Sequence, residues 1–322
     1  MQKQRATSDT NTTGAPLLEL RNIRKAYADK VAVDDISLSI PRGVIFGLLG
    51  PNGAGKTTTI RMITRIIYPD RGEILFDGQP ITNDDQRRIG YLPEERGLYK
   101  SMKVREQIVY ILRLKGQEKA RAEQLAEAWL KRFDLDSRAD SKLKDLSKGM
   151  QQKVQFITTI AHKPPLLILD EPFSGLDPIN TQMIEDIIKE LREEGITIIF
   201  STHRMEQVEQ MCEEIALISN GNIVLQGQLD EVKRSYREQQ FVIEADQPFE
   251  QLNLPEGAEI LAKTPTKVEV QFDREIDKSE LIRSLTEQIK LARFIHVEPT
   301  LREIFIQSVS DDNLQPTEPE AA

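Results

Sequence analysis

The most constraining feature of the sequence is a glycine-rich segment between an apolar run and a helical pattern. Residues 50–58 read GPNGAGKTT and fit the pattern G-x-x-x-x-G-K-[ST]. Val44–Leu49 before it is apolar enough for a buried strand, and Thr57–Ile67 after it carries apolar residues on one helical face. Glycines let backbone N–H groups turn towards an anion, and the start of a helix adds a positive dipole end. The segment therefore predicts a loop that binds phosphate.

The residue types in this loop predict separate roles. Lys56 would reach the β- and γ-phosphates of a nucleotide, and the Thr57 hydroxyl would ligate Mg²⁺. A chance glycine-rich turn is the alternative, and the strand before it and the helix after it speak against that alternative. The expected nucleotide contacts in the loop are Gly50, Pro51, Asn52, Gly53, Ala54, Gly55, Lys56, Thr57 and Thr58.

A second apolar run, Leu166–Asp170, predicts another buried strand, and it ends in the carboxylates of Asp170 and Glu171. Carboxylates at the end of a buried strand are costly unless they face a site. We expect Asp170 to hold the Mg²⁺ shell and Glu171 to polarise or deprotonate an attacking water. An exposed acidic turn is the usual reading of an isolated Asp-Glu pair, but the phosphate loop upstream favours a catalytic site.

Composition limits the class of protein. The net charge of −9 argues against nucleic acid as the main partner, because such proteins usually carry a basic face. The single cysteine, Cys212, excludes an internal disulfide and fits a reducing cytosol. No apolar stretch approaches the roughly 20 residues of a membrane span. The basic stretch Arg96–Arg121 is either a solvated helical surface or a surface near lipid headgroups or a membrane partner.

The chain of 322 residues has room for two domains. Strands that alternate with helices predict an α/β fold with a mainly parallel sheet, whereas the short apolar runs of 17–40 predict antiparallel strands. After about residue 227 the pattern changes to short alternating strands and two helices. We expect a disordered lead at 1–15, a main domain at 16–235 with a helical subdomain at about 95–165, a small α+β domain at 236–309, and a disordered acidic tail at 310–322.

Four further segments give the chain its resemblance to ABC-type ATPase subunits. Together with the two elements above, they stand in the order typical of that family over residues 17–227. The resemblance implies a P-loop NTPase fold with an ABC-type antiparallel β-subdomain and a helical subdomain, plus a small C-terminal α+β domain. The four segments are Leu146–Gln151, which resembles the signature; Ser174–Asp177, which resembles the D-loop; His203, which resembles the switch histidine; and Tyr27, at the position of an aromatic that stacks on adenine.

The same resemblance implies a mechanism and partners. Two subunits would form a head-to-tail homodimer in which Ser147 and Gly149 of one cap the ATP on the other, with Asp177 at the seam. His203 would contact the γ-phosphate. The chain would bind ATP and Mg²⁺, hydrolyse the ATP, and couple dimer closure to export through a separate membrane permease. It would then work in the cytoplasm, at the inner face of the membrane.

The sequence departs from the family pattern at two places. The family usually has glutamine where this chain has Glu94, and it usually has two glycines and a glutamine where Lys148, Gly149 and Met150 stand. Because Ser147 and Gly149 are kept, we expect the contact with ATP to survive. Glu94 adds a carboxylate near Mg²⁺ and the nucleotide. Both retained metal coordination and an altered coupling to the partner are compatible with it.

A narrower resemblance points to export. The segments YLPEERGLY at 91–99, LSKGMQQK at 146–153 and PTLREIF at 299–305 look like ATPases of bacterial sodium-efflux and drug-resistance systems. The alternatives are a soluble ABC-type ATPase that acts on DNA or ribosomes and a regulatory module that holds ATP without turnover. Proteins of the first kind usually carry coiled-coil insertions, zinc cysteines or two ATPase units. Intact Glu171 and His203 speak against the second.

Overall fold

The computed structural model describes residues 14–28, 30–95 and 97–312. The chain divides into two compact units, Met1–Gly227 and Gln228–Ala322. Helix Leu229–Ser235, which the sequence prediction placed in the main domain, groups with the second unit. Residues 1–13 of the expected lead, residues 313–322 of the expected tail and Arg96 of the basic stretch lie outside the described residues. No helix in the described ranges combines the length and apolarity of a membrane span.

The first unit alternates strands and helices, as the sequence pattern predicts. Several strands that the sequence analysis did not single out complete its sheets. In chain order the elements are β1 (Leu18–Tyr27), β2 (Lys30–Ile40), β3 (Ile45–Leu49), α1 (Lys56–Ile63), β4 (Arg71–Phe76), β5 (Gln79–Pro80), β6 (Ile89–Leu92), α2 (Val104–Leu114), α3 (Lys119–Arg132), α4 (Lys148–Ile160), β7 (Leu166–Asp170), α5 (Pro178–Glu193), β8 (Thr197–Thr202), α6 (Met205–Met211), β9 (Glu214–Ser219) and β10 (Asn222–Gln228).

Two sheets make up the framework of this unit. The smaller has the order β2-β1-β4-β5, and its strand pairs are antiparallel, as predicted for residues 17–40. The larger has the order β10-β9-β3-β8-β7-β6. In it, β3 pairs in parallel with β8 and β9, and β7 pairs in parallel with β6 and β8. The structure therefore confirms the α/β prediction.

Local sequence explains why these strands lie at the centre. Every residue of β3 (IFGLL) and of β7 (LLILD) is buried. Continuous apolar runs of this kind suit parallel strands that are covered on both faces. Helices α2, α3 and α4 lie in the stretch predicted as helical. Three apolar residues of α2 recur at every fourth position and are buried, which fits one helical face: Val104, Ile108 and Leu112.

Within residues 228–312, the second unit has a single antiparallel sheet in the order β12-β13-β11-β14. Strands β11 and β13 alternate buried and half-buried residues, and Leu281 and Leu285 of α8 are buried in the same apolar cluster. The sequence analysis missed β14, whose residues are exposed or half-buried and do not alternate. Helix α9 runs past the predicted end at 309. The elements are α7 (Leu229–Ser235), β11 (Gln240–Ala245), β12 (Ala258–Lys263), β13 (Lys267–Phe272), α8 (Lys278–Gln288), β14 (Leu291–His296) and α9 (Leu301–Asp312).

Candidate nucleotide-binding site

The phosphate loop, Asp170, Glu171 and His203 follow strands that end at one edge of the parallel sheet. Leu49, the last residue of β3, pairs with Thr202 of β8, and Asp170, the last residue of β7, pairs with Ser201. Strand β6 lies beside β7 in the same direction. The segments that follow β3, β6, β7 and β8 therefore leave the sheet side by side. Open α/β sheets bind ligands at this edge, outside the carboxyl ends of their strands.

The phosphate loop requires glycine at two positions where the chain passes close to other backbone. Gly50 has φ +145°, and a Cβ there would lie 2.1 Å from the carbonyl oxygen of Ile218. Gly55 has φ +116°, and a Cβ would lie 2.6 Å from the carbonyl oxygen of Ala32. Only glycine avoids both the clash and the backbone strain. The loop conformation is thus built into the sequence.

Lys56 begins α1 and is buried. Its Nζ donates hydrogen bonds to the carbonyl oxygens of Gly50, at 2.6 Å, and Pro51, at 3.1 Å. Asn52 and Gly53 are exposed at the tip of the loop, whereas Ala54 is buried. The ammonium therefore lies within the curve of the loop, where an anion would meet it.

Opposite charges surround this ammonium. Burial lowers the pKa of Lys56 below its ordinary value, and the carboxylates of Glu171, Asp170 and Glu94 act in the other direction. All these groups interact electrostatically with Lys56, so the fold brings together residues that lie far apart in the sequence.

Thr58 follows Thr57 in the first turn of α1, and both side chains are half-buried.

Asp170 is a buried carboxylate at the end of a buried strand. The residue is 3% exposed, and its Oδ2 has no hydrogen-bond partner among the residues that the structure describes. Burial raises the pKa of its carboxyl above the ordinary value, and the carboxylates of Glu94 and Glu171 raise it further. A nearby cation would favour the charged form. Thr57, Glu94 and Asp170 line the same cavity of about 680 Å³, and each has a side-chain oxygen of the kind that Mg²⁺ prefers.

Glu171 is fixed by the end of β8. Its Oε1 accepts a hydrogen bond from the backbone N–H of His203 at 2.9 Å and lies 2.6 Å from His203 Nδ1. Its Oε2 accepts one from the Thr202 hydroxyl at 3.2 Å. The Glu171 backbone adopts φ +50°, a conformation that costs a non-glycine residue about 1–2 kcal/mol. The structure thus joins Glu171 to His203, and it adds Thr202, which was not predicted from the sequence.

The remaining predicted residues lie apart from this cluster. Ser147 caps the start of α4 by accepting from the N–H of Met150, and Gly149 lies in the first turn of that helix. Asp177 caps α5. Tyr27 ends β1 and is exposed. Within the described ranges, no hydrogen bond or ion pair links these four residues to Lys56, Asp170 or Glu171.

Family models and curated relatives match both units of the chain. A family model described as "ABC transporter" matches residues 33–174, and one described as "ATP-binding protein DrrA1-3-like, C-terminal domain" matches residues 227–309. The uncharacterized ABC transporter ATP-binding protein YhaQ of Bacillus subtilis is 43% identical over 91% of this chain and 98% of its own length. The Nod factor export ATP-binding protein I of Cupriavidus metallidurans is 36% identical over 67% of this chain and 72% of its own.

Solved structures of ATP-binding cassettes have a similar fold. The dimeric, post-hydrolysis structure of the ATP-binding cassette MJ0796 with ADP and Pi has a TM-score of 0.61 and 25% identity, and it covers 66% of this chain and 98% of its own. The match to YhaQ extends through both units of the chain, and the family is one of ATP-binding subunits. The chain therefore belongs to the family of ABC transporter ATP-binding proteins.

Proposed function

We propose that the chain hydrolyses ATP in a magnesium-dependent reaction and thereby drives export through a separate membrane permease. The observation that carries the proposal is that Lys56, Asp170 and Glu171 meet at one sheet edge, with Glu171 tied to His203. This arrangement combines a cation for phosphate, a metal ligand and a candidate general base. Phosphoryl transfer needs mainly positioning and charge stabilisation, which is what these groups supply.

Each residue has a defined task in this proposal. The loop amides and Lys56 hold the β- and γ-phosphates, while Asp170, Thr57 and Glu94 hold Mg²⁺. The metal ion, when bound, neutralises charge on the phosphate oxygens. Glu171 accepts the proton of the attacking water, and the N–H of His203 keeps the carboxylate in place at 2.9 Å. The His203 side chain, which is 52% exposed, contacts the γ-phosphate.

The proposed working form is a head-to-tail homodimer. Ser147 is exposed and Gly149 half-exposed at the start of α4, and a Cβ on Gly149 would meet no atom within 4 Å. This helix start is open to a phosphate group from a second subunit, and such starts favour anions. The match to a dimeric ATP-binding cassette supports this arrangement. Asp177 would then lie at the seam between subunits.

Adenine recognition by Tyr27 gives a testable consequence. Tyr27→Ala should weaken ATP binding by about 1–3 kcal/mol, or about 5- to 150-fold, because aromatic stacking on a base is lost. The maximal hydrolysis rate should change little, and Tyr27→Phe should keep the affinity. Equilibrium binding of a fluorescent ATP analogue measures the effect. Tyr68→Ala is the matched control, since Tyr68 is 53% exposed and Tyr27 is 45% exposed. Equal losses in the two variants would remove Tyr27 from the site.

The permease is proposed to dock around the cavity that Glu94 lines. Ile66 in the cavity lining is exposed, and exposed apolar surface of this kind marks an interaction site. Three more exposed large side chains are each adjacent in sequence to a lining residue: Tyr99, Tyr110 and Leu114. The cavity itself is lined by Ile66, Leu98 and Ile111 among others. Tyr99 and Tyr110 contact each other edge to face, with ring centroids 5.9 Å apart. Because this surface is apolar, we propose that the partner is a protein with an apolar segment. The chain's net charge of −9 disfavours nucleic acid as the partner.

A charge placed on this surface should separate docking from catalysis. Leu114→Glu is expected to release the chain from membranes that contain its permease, while ATP binding stays within about twofold, because surface changes outside the site are usually small. Leu261→Glu in the second unit is the control, since Leu114 is 55% and Leu261 45% exposed. Co-sedimentation with permease-containing membranes measures the effect. Undiminished co-sedimentation of Leu114→Glu would place the docking surface elsewhere, and wild-type protein that never co-sediments would favour a soluble ATPase.

A further inference from the structure

The segment that carries Glu94 is anchored by two buried glutamines from the neighbouring helices. Gln155 of α4 is 4% exposed, and Gln107 of α2 is also buried. The Gln107 side-chain oxygen accepts a hydrogen bond from the backbone N–H of Tyr99 at 3.1 Å. Both side chains line the cavity that Thr57, Asp170 and Glu94 also line. The segment after β6 is thus attached to the helices through side chains.

Gln155 makes the contact closest to the reacting groups. Its Nε2 donates to the carbonyl oxygen of Pro93 at 3.2 Å and to that of Glu95 at 3.3 Å. The amide therefore bridges the backbone on both sides of Glu94. No described residue donates a hydrogen bond to the Glu94 carboxylate itself. The bridge by Gln155 instead restrains the backbone from which this carboxylate projects.

Stability alone does not account for a glutamine at this position. The Gln155 side-chain oxygen is buried and has no hydrogen-bond partner among residues 14–28, 30–95 and 97–312. A buried polar atom without a partner typically costs about 1–3 kcal/mol. The neighbours of Gln155 along α4, Val154 and Phe156, are apolar and fully buried. An apolar side chain at 155 would avoid that cost but could not hold the two carbonyls.

We propose that Gln155 is a positioning residue for Glu94: it holds the Glu94 backbone so that the carboxylate can reach Mg²⁺ beside Asp170 and Thr57. The proposal rests on the metal-binding role given to Glu94 above. Residues that orient metal ligands typically change metal affinity by about 10- to 100-fold when they are mutated. Loss of the bridge should therefore weaken the metal site without removing any ligand.

The test compares nucleotide affinity with Mg²⁺ and with EDTA in the full-length chain, using a fluorescent ATP analogue. The ratio of the two affinities is the gain due to Mg²⁺, and it is measured at equilibrium without turnover. Gln155→Leu should lower this gain by about tenfold, the lower end of the range for such residues, and leave the affinity in EDTA unchanged. An unchanged affinity in EDTA also shows that the variant is folded.

Glu94→Ala and the double variant make the test specific. Glu94→Ala should lower the gain at least as much as Gln155→Leu, and the double variant should fall no further than Glu94→Ala, because both changes act through one carboxylate. Thr158→Val is the matched control. Thr158 lies on the same helix, lines the same cavity and donates within the helix to the Gln155 carbonyl at 2.7 Å. It should keep the wild-type gain.

A second measurement follows the backbone directly. Amide hydrogen exchange of the segment after β6 should be faster in Gln155→Leu than in wild type or Thr158→Val, because the bridge to the helix is gone. If Glu94→Ala leaves the Mg²⁺ gain unchanged, the metal-binding role of Glu94 is wrong and the inference is overturned with it. If Glu94→Ala lowers the gain but Gln155→Leu does not, or if their effects multiply, the inference on Gln155 is wrong while Glu94 remains a ligand.

Discussion

Replacing Glu171 by glutamine is expected to slow ATP hydrolysis by about 10²- to 10⁴-fold while nucleotide binding persists. Glutamine has nearly the same shape as glutamate, and its side-chain oxygen can still accept from the N–H of His203, which lies 2.9 Å from Glu171 Oε1. It cannot accept the proton of the attacking water. The geometry of the site should thus survive the loss of its base.

Two measurements check this expectation. Steady-state phosphate release gives the rate, and size-exclusion chromatography with Mg·ATP should show a dimer that persists because its nucleotide is not consumed. Glu193→Gln, on the exposed end of α5, is the matched control and should hydrolyse ATP at the wild-type rate. Hydrolysis by Glu171→Gln within about tenfold of wild type would assign the base to another residue.

Mixing two inactive variants is expected to restore activity, because each site is proposed to use both subunits. Lys56→Ala removes the ammonium from the phosphate loop, and Ser147→Arg places bulk and charge at the open start of α4. Each variant alone has two broken sites. A mixed dimer has one site with both defects and one that is intact. Free exchange at equal concentrations makes about half of the dimers mixed, so about a quarter of the wild-type rate should return if the sites are independent.

Two controls test whether the restored activity comes from a site that is shared between subunits. Ser137→Arg changes an exposed serine in the same helical stretch and should be active by itself. Cysteines at the exposed positions Asn52 and Lys148 should crosslink between subunits when ATP is added. The native Cys212 is buried, and burial raises its pKa, so it should not interfere. Mixed dimers that form and crosslink yet stay inactive would show that both sites must be intact. Absence of the crosslink would contradict the shared site.

The sequence was sufficient to predict the phosphate loop and the strand that ends in Asp170, because each is a short segment whose context is local. It did not predict how Glu171 is held. The contacts with Thr202 and His203 form only because β7 and β8 pair across residues far apart in the chain. A motif search therefore finds the residues but not the hydrogen bonds that orient them.

Other features were missed for the same physical reason. Gln155 looks like an ordinary polar position within α4, and its contacts with the carbonyls of Pro93 and Glu95 span about sixty residues of sequence. Strand β14 lacks alternation, since its place in the sheet comes from pairing with β11. The sequence pattern changes near residue 227, but the predicted main domain ran to 235 and so included α7, which groups with the second unit.

The position of Lys56 has a consequence for how affinity should be interpreted. Its ammonium is already coordinated by the carbonyl oxygens of Gly50 and Pro51. An ammonium has three N–H donors, so the nitrogen that holds these two carbonyl oxygens keeps one N–H for an incoming phosphate and links the loop backbone to the anion. Removing the lysine also leaves two carbonyl oxygens pointing towards the incoming anion. The affinity lost in Lys56→Ala should therefore exceed the strength of the lysine–phosphate contact itself.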